Sequence, residues 1–238
     1  MSATVAPPIA PSVAAVPRLA DGDRLSREEF HRRYHAMPPG VKWELIEGVV
    51  FMASPASIDG HGEQHLALQG HLALYRFKTP GVRAADNGSV MIDRVNELQP
   101  DTVVWIDERS GGQARIGPRK YMDGAPEMAV EISFSSARRD LGPKKIVYAR
   151  NGVQEYLVWR VKDRALDWFR LRGGDYELLP VGADGVVRSE VFPGLRLHPA
   201  ALIAEDFAAA LAATEAGFDT PEHRAFVARL AAVPPASR

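Results

Sequence analysis

The spacing of apolar and polar positions divides the chain into helical and strand-like segments. Ser26-Arg27-Glu28-Glu29 has the S-x-x-E form of a capping box ahead of Phe30 and Tyr34. It predicts a short helix to about His35, stopped before Pro38-Pro39-Gly40. Trp43 to Met52 (WELIEGVVFM) is rich in strand formers, with Glu47-Gly48 as a hairpin turn. From Glu63 to Phe77 the apolar residues Leu66, Leu68, Leu72, Leu74, Tyr75 and Phe77 include the i, i+4 and i+7 positions of a stripe. That second helix would open at Asp59-Gly60-His61. Gly88 to Ile92, Asp101 to Ile106 and Glu127 to Ser133 are short runs of Val, Ile, Met and Trp between polar loops. Val103-Val104-Trp105-Ile106 and Met128-Ala129-Val130 read as central strands buried on both faces. Arg138 to Arg150 reads as a basic amphipathic helix closed at Asn151-Gly152. VQEYLVWR, ALDWFRLR and YELLPV form a strand meander with a Gly173-Gly174 turn, and the Ala-rich stretch from His198 is helical. This order predicts an α/β (α+β mixed) domain with one open mixed sheet flanked by helices.

At 238 residues, 46% hydrophobic and 25% charged, the chain suits one globular domain with tails. Residues 1–22 are expected to be a flexible Ala/Pro-rich leader, 23–200 the folded domain, and 201–238 an Ala-rich helical tail. The 29 basic and 30 acidic residues leave a net charge of −1, which argues against a binder driven by overall positive charge but permits a local basic groove. With no cysteine, thiolate metal sites, cysteine nucleophiles and disulfides are excluded. No apolar run approaches the ~18 residues of a membrane span. Pro7, Pro8, Pro11 and Pro17 interrupt the N-terminal apolar stretch, so a signal peptide is not expected and the cytoplasm is the default compartment. No glycine-rich phosphate loop is present.

Three carboxylates lie in apolar strands or at their edges: Glu44 in KWELIEG, Asp101 in QPDTVVW and Glu131 in MAVEIS. A carboxylate in such a run is expensive to bury unless it is paired, protonated or bound to a cation. If the three converge they repel one another, and a divalent cation relieves that repulsion. Mg²⁺ suits the pattern, because it prefers oxygen ligands and keeps several waters. The following basic helix supplies Lys144 and Lys145.

Pro100-Asp101 followed by Glu131-Ile132-Ser133 resembles the PD-(D/E)XK nuclease pattern with Ser in place of its Lys. Five ordered blocks, WELIEGVV, SPASIDGH, QPDTVVW, GAPEMAVEISFSSARRD and KIVYARNGVQEYLVW, are similar to the bacterial Uma-type restriction-endonuclease family and cover roughly residues 26 to 200. The resemblance implies a restriction-endonuclease-like core and a Mg²⁺-dependent endonuclease, with Mn²⁺ able to substitute. It implies Asp101 and Glu131 as metal ligands, the Ile132 carbonyl completing the sphere, and Glu44 as the acidic residue of the first helix–strand region. Lys144 falls where the lysine has moved in this family; Lys145 would point roughly 100° away on a helix. The partner implied is nucleic acid, DNA first, and a homodimer is an expectation from the resemblance alone.

Plainer readings stand beside these. Asp101 can be a strand-start residue accepting backbone hydrogen bonds. Glu131 can pair with Arg138 or Arg139, Glu44 can sit on an exposed strand face, and Lys144 on a solvated helix face. His61 and His65 are four apart on one helix face, which is also metal-ligand spacing; a cap or surface role is the preferred reading of His61, and a place lining the cleft, implied by the resemblance, is the alternative. Glu155 is expected to pair with a nearby Lys. Arg138, Arg139, Lys144, Lys145 and Arg150 can contact phosphates or simply solubilise a helix. Trp105, Trp159 and Trp168 read as packing residues. A nuclease-fold module that binds nucleic acid or protein without cutting is the second hypothesis. A glycoside hydrolase is a distant third, lacking an aromatic sugar platform.

Overall fold

A computed structural model describes residues 16–38, 40–53 and 58–233. Most of the expected leader, Pro39 and the start of the SPASIDGH segment lie outside the described residues. Helix α1 (Arg27–His35) opens on Ser26, whose Oγ accepts the N–H of Glu29 at 3.2 Å. It buries Phe30 against Trp43, Leu45 and Val50 of the hairpin formed by β1 (Trp43–Ile46) and β2 (Val49–Met52). Leu19 joins this cluster, and the N–H of Gly22 donates to Val50, so the packed chain begins before residue 22.

A π-helical turn (Ile58–Gly62) leads into α2 (Glu63–Lys78), which turns Leu68, Leu72 and Tyr75 inward. Leu66 and Phe77 of the expected stripe are each 72% exposed, so the buried face is narrower than the sequence suggests. Then come β3 (Val82–Asp86), β4 (Val90–Met91), β5 (Thr102–Ile106), β6 (Arg115–Ile116), β7 (Met122–Asp123) and β8 (Met128–Ser133). The continuous basic helix expected over Arg138 to Arg150 is two pieces, α3 (Ala137–Arg139) and α4 (Lys145–Arg150). Between them Gly142 leaves the helical region and Pro143 has no N–H to donate, so the chain breaks there. The meander is β9 (Glu155–Arg160), β10 (Ala165–Arg172) and β11 (Asp175–Leu178), and a short pair, β12 (Val187–Arg188) and β13 (Arg196–Leu197), follows. Helices α5 (Pro199–Ile203), α6 (Phe207–Glu215) and α7 (Pro221–Ala231) end the described chain.

The main sheet has the order β11-β10-β9-β8-β5-β3, mixed as expected: β8 and β9 are parallel and every other neighbour pair is antiparallel. β4, β6 and β7 form a separate small sheet. Side chains alternate between faces along a strand. Val104, Val130, Ile132 and Trp159 therefore pack on one face with α2 and the C-terminal helices, while Val103, Trp105, Ala129 and Val158 pack on the other with Val147 and Tyr148 of α4. By that parity Asp101 and Glu131 share the α4 face. The β5–β8 register, ending at Thr102↔Val130, sets them opposite each other just past the last paired residues.

The Ala-rich C-terminal segment belongs to the core: Leu202, Ala210, Phe226 and Leu230 sit in the same cluster as Leu68 and Leu72. Leu202 is fully buried whereas Leu211 is 42% exposed. Denaturant unfolding should therefore show Leu202→Ala losing roughly 2–5 kcal/mol, with Leu211→Ala within about 0.5 kcal/mol of wild type. Equal stability of the two variants would separate this segment from the core.

Candidate active site

Four carboxylates and two lysines meet in a cleft of about 280 Å³ at one end of β5 and β8. Glu44 comes from β1, Asp101 from the start of β5, Glu131 from β8 and Asp140 from the break between α3 and α4. Lys144 closes the cluster from below: its Nζ is 2.6 Å from Glu131 Oε1, 2.9 Å from Glu44 Oε1 and 3.8 Å from Asp140 Oδ1. Glu44, Glu131, Asp140 and Lys144 are each 3% exposed or less. Lys144 lies buried at the junction of the break and α4. Beyond it Val147 and Tyr148 pack onto the sheet, Tyr148 Oη donates to Glu131 Oε1 at 3.1 Å, and Tyr156 Oη donates to the carbonyl of Asp140 at 3.1 Å.

Asp101 is held separately. Its Oδ2 accepts the N–H of Ile132 at 2.8 Å, Lys42 Nζ lies 3.1 Å from Oδ1, and His61 Nε2 lies 3.4 Å from Oδ2. Ile132 is two residues past Val130 on the same strand edge. A strand residue's N–H and C=O face the same edge, so the Ile132 carbonyl also faces the Asp101 side. His61 is set by Gly60, whose φ of +94° is favourable only for glycine and whose Cα packs on Phe134; a Cβ there would fall 2.5 Å from the ring. The Asp59 side chain, part of the expected helix opening, lies outside the description.

Burial acts against every charge here, and the neighbours decide the outcome. Burial would lift Asp101, yet His61, Lys42 and the Ile132 N–H hold it well below the usual carboxylate range. Burial likewise opposes Glu44, but Lys144, Lys42 and the Gln99 N–H outweigh it and lower its pKa. Glu131 is pushed up to about 8: burial is the largest cause, and Asp140, Asp101 and Glu44 add repulsion that Lys144 only partly offsets. Burial would strip the Lys144 proton, but Glu131, Glu44 and Asp140 raise its pKa instead, so it remains an ammonium.

Several sequence expectations change in detail. Glu44 is not on an exposed face, and the partner of Glu131 is Lys144, not Arg138 or Arg139. Among the described residues Glu155 pairs with no lysine. It lies on the opposite sheet face and is satisfied by Trp168 Nε1, Ser189 Oγ and the N–H groups of Glu190 and Val191. Ser133 Oγ donates to Asp140 Oδ2 at 2.5 Å. The basic cluster divides: Lys145 stands over the Phe169 ring at 3.7 Å and Arg150 pairs with Glu47 and Asp93. Arg139 lines the cleft, its Nε buried without a hydrogen-bond partner among the described residues and its guanidinium 5.6 Å from the Phe51 ring. Trp105, Trp159 and Trp168 are buried packing residues. Lys42, Asp140 and Tyr148 escaped the sequence reading. Lys42 shares strand parity with Glu44, and Asp140 precedes Lys144 by four residues, and these are the signals by which they could have been found.

The donor set offers only hard oxygens from Asp101, Glu131 and the Ile132 carbonyl, and both hydrogen bonds to Glu131 go to Oε1, not Oε2. No three His, Asp or Glu side chains among the described residues are grouped as a ready metal cage. Mg²⁺ asks for less, since one or two carboxylates and several waters suffice, and these donors fit it. A larger, more apolar pocket of about 410 Å³ between α2 and α5 holds no such cluster. No described helix is long and apolar enough to cross a membrane.

The Uma2 family model, described as "Putative restriction endonuclease", matches residues 27–200. The crystal structure of a putative nuclease belonging to DUF820 from Anabaena variabilis shares the fold with a TM-score of 0.54 at 17% identity, covering 73% of this chain and 96% of that one. No curated protein matches the chain.

Removing the Lys144 ammonium leaves Glu44, Glu131 and Asp140 buried without their shared cation. Lys144→Met should lose roughly 3–5 kcal/mol at pH 7. With burial then unopposed by the ammonium, Glu44 and Glu131 hold protons more tightly folded than unfolded, so the deficit shrinks as pH falls from 8 towards 5. Urea unfolding at several pH values checks this; a deficit independent of pH would contradict the ion cluster.

Proposed function

The chain belongs to the Uma2 restriction-endonuclease family, and from that premise we propose that it is a Mg²⁺-dependent endonuclease hydrolysing phosphodiester bonds, with DNA as substrate. The observation that carries this reading is the convergence of Asp101 and Glu131 on one sheet face with Lys144 Nζ 2.6 Å from Glu131. Asp101, Glu131 and the Ile132 carbonyl would hold the cation, with Glu44 beside them. When bound, it supplies Lewis-acid polarisation of the phosphoryl oxygen and a water of lowered pKa.

The chain's own residues do the rest. Lys144, kept charged by its carboxylates, stabilises the negative charge that grows on the phosphate oxygens as water attacks in line. Lys42 and the Ile132 N–H fix the Asp101 carboxylate and keep it ionised. Arg139, which has no ion pair among the described residues, meets a backbone phosphate beside the scissile one with its guanidinium fork. The position vacated by lysine at Ser133 serves structure: its hydroxyl anchors Asp140, which in turn faces Lys144.

Supercoiled plasmid should be nicked or linearised with Mg²⁺ or Mn²⁺ but not with EDTA. Asp101→Asn and Lys144→Arg should each slow cutting by roughly 10²-fold or more. Failure of folded wild type to cut, together with no calorimetric Mg²⁺ binding, would overturn the enzyme reading in favour of a non-cleaving binding module.

A further inference from the structure

A second group of titratable side chains lies outside the cleft, on α1. His31 and His35 are four residues apart, so their rings share one helix face. The rings meet edge to face with centroids 4.4 Å apart, and their Nε2 atoms are 3.0 Å apart. Tyr121, from the turn before β7, brings its Oη to 3.4 Å from His35 Nε2. On its other side His31 Nδ1 meets the Glu97 carboxylate at 3.0 and 3.3 Å. Glu97 is 2% exposed, and its backbone exchanges both hydrogen bonds with Leu45, so the carboxylate is fixed in place.

We propose that His31 and His35, with Tyr121 as a third donor and Glu97 as the carboxylate behind His31, form a binding site for a transition-metal ion of the Zn²⁺ class. The distances carry the argument. With Zn–N bonds of about 2.0–2.1 Å, two ligand nitrogens stand about 2.9–3.4 Å apart for angles between 90° and the tetrahedral value. The observed separation falls inside that range. A carboxylate accepting from Nδ1 fixes the tautomer that leaves the Nε2 lone pair free, the arrangement by which metal-bound imidazoles are oriented. The nearby Arg119 and Arg27 weaken the attraction for a dication. His35 is exposed, which leaves open positions for water.

Imidazole donors select Zn²⁺, Cu²⁺ or Ni²⁺ over Mg²⁺, so this site and the oxygen-lined cleft take different ions. The other histidine pair is not equivalent. The His61 and His65 rings are 5.6 Å apart, and their Nε2 atoms face Asp101 and Asp86 respectively. An ion at His31 and His35 would tie α1 to the turn carrying Tyr121 and, through Glu97, to the strand segment leading to Asp101.

The test is calorimetric titration of the full, tag-free chain with Zn²⁺, paired with Cu²⁺ electron paramagnetic resonance. One Zn²⁺ should bind per chain, with nitrogen coupling in the Cu²⁺ spectrum. His35→Ala, at an exposed position, should lower the affinity at least tenfold while His61→Ala leaves it unchanged. Glu97→Gln should lower it roughly 10–100-fold. Wild type that binds no Zn²⁺, or His35→Ala that binds as tightly as wild type, would overturn the site and leave a histidine–histidine hydrogen bond. Either result is independent of whether the chain cuts nucleic acid.

Discussion

The ammonium of Lys144 is the cation on which the cleft depends. Glu44, Glu131 and Asp140 cannot stand together in the interior as anions without a charge among them, and Lys144 Nζ contacts all three within 3.8 Å. Each buried ion sacrifices several kcal/mol of hydration, which only close pairing and further hydrogen bonds offset. The surroundings supply these: the Gln99 N–H on Glu44, Tyr148 on Glu131, and Ser133 with Ser136 on Asp140. Asp140 and Lys144 are four residues apart, a spacing that a continuous helix also brings together, and the Gly142-Pro143 break falls between them.

The sheet separates two kinds of buried carboxylate. Glu155, on the face covered by the C-terminal helices, is met by four neutral donors and no cation among the described residues, and its raised pKa follows from burial. Glu131, on the α4 face, shares its surroundings with other carboxylates and is also raised, but it opens onto a cleft lined by Lys42, His61 and Arg139. Equal burial thus gives a carboxylate enclosed in packing on one side and a carboxylate lining a cleft on the other. What distinguishes them is whether like charges are gathered beside an opening where a ligand can neutralise them.

Much of this was legible in the sequence because it rests on short-range pattern. The helix at Arg27–His35, the β1–β2 hairpin, the apolar central strands and the meander follow from capping, turn and strand residues. Glu44, Asp101 and Glu131 stood out because carboxylates in apolar runs require a reason. The rest needed tertiary information. The break at Gly142-Pro143 was written in two helix-breaking residues but hidden by the basic periodicity on either side. Strand β3 is largely Val, Arg and Ala without clear alternation, and its place at the sheet edge comes from pairing with β5. Glu155 was expected to seek a lysine, because the sequence does not reveal that β9 turns it to the face away from α4. The spacing of His31 and His35 was visible, whereas Glu97 and Tyr121 reach them only through the fold.

Whether Asp101 and Glu131 share one cation position beside Lys144 is tested most directly by anomalous diffraction from crystals soaked in Mn²⁺. The predicted result is a peak in the cleft about 2.1 Å from a carboxylate oxygen of each residue, the distance expected for a small hard dication. A well-ordered crystal with no peak between Asp101 and Glu131 at saturating Mn²⁺ would contradict it.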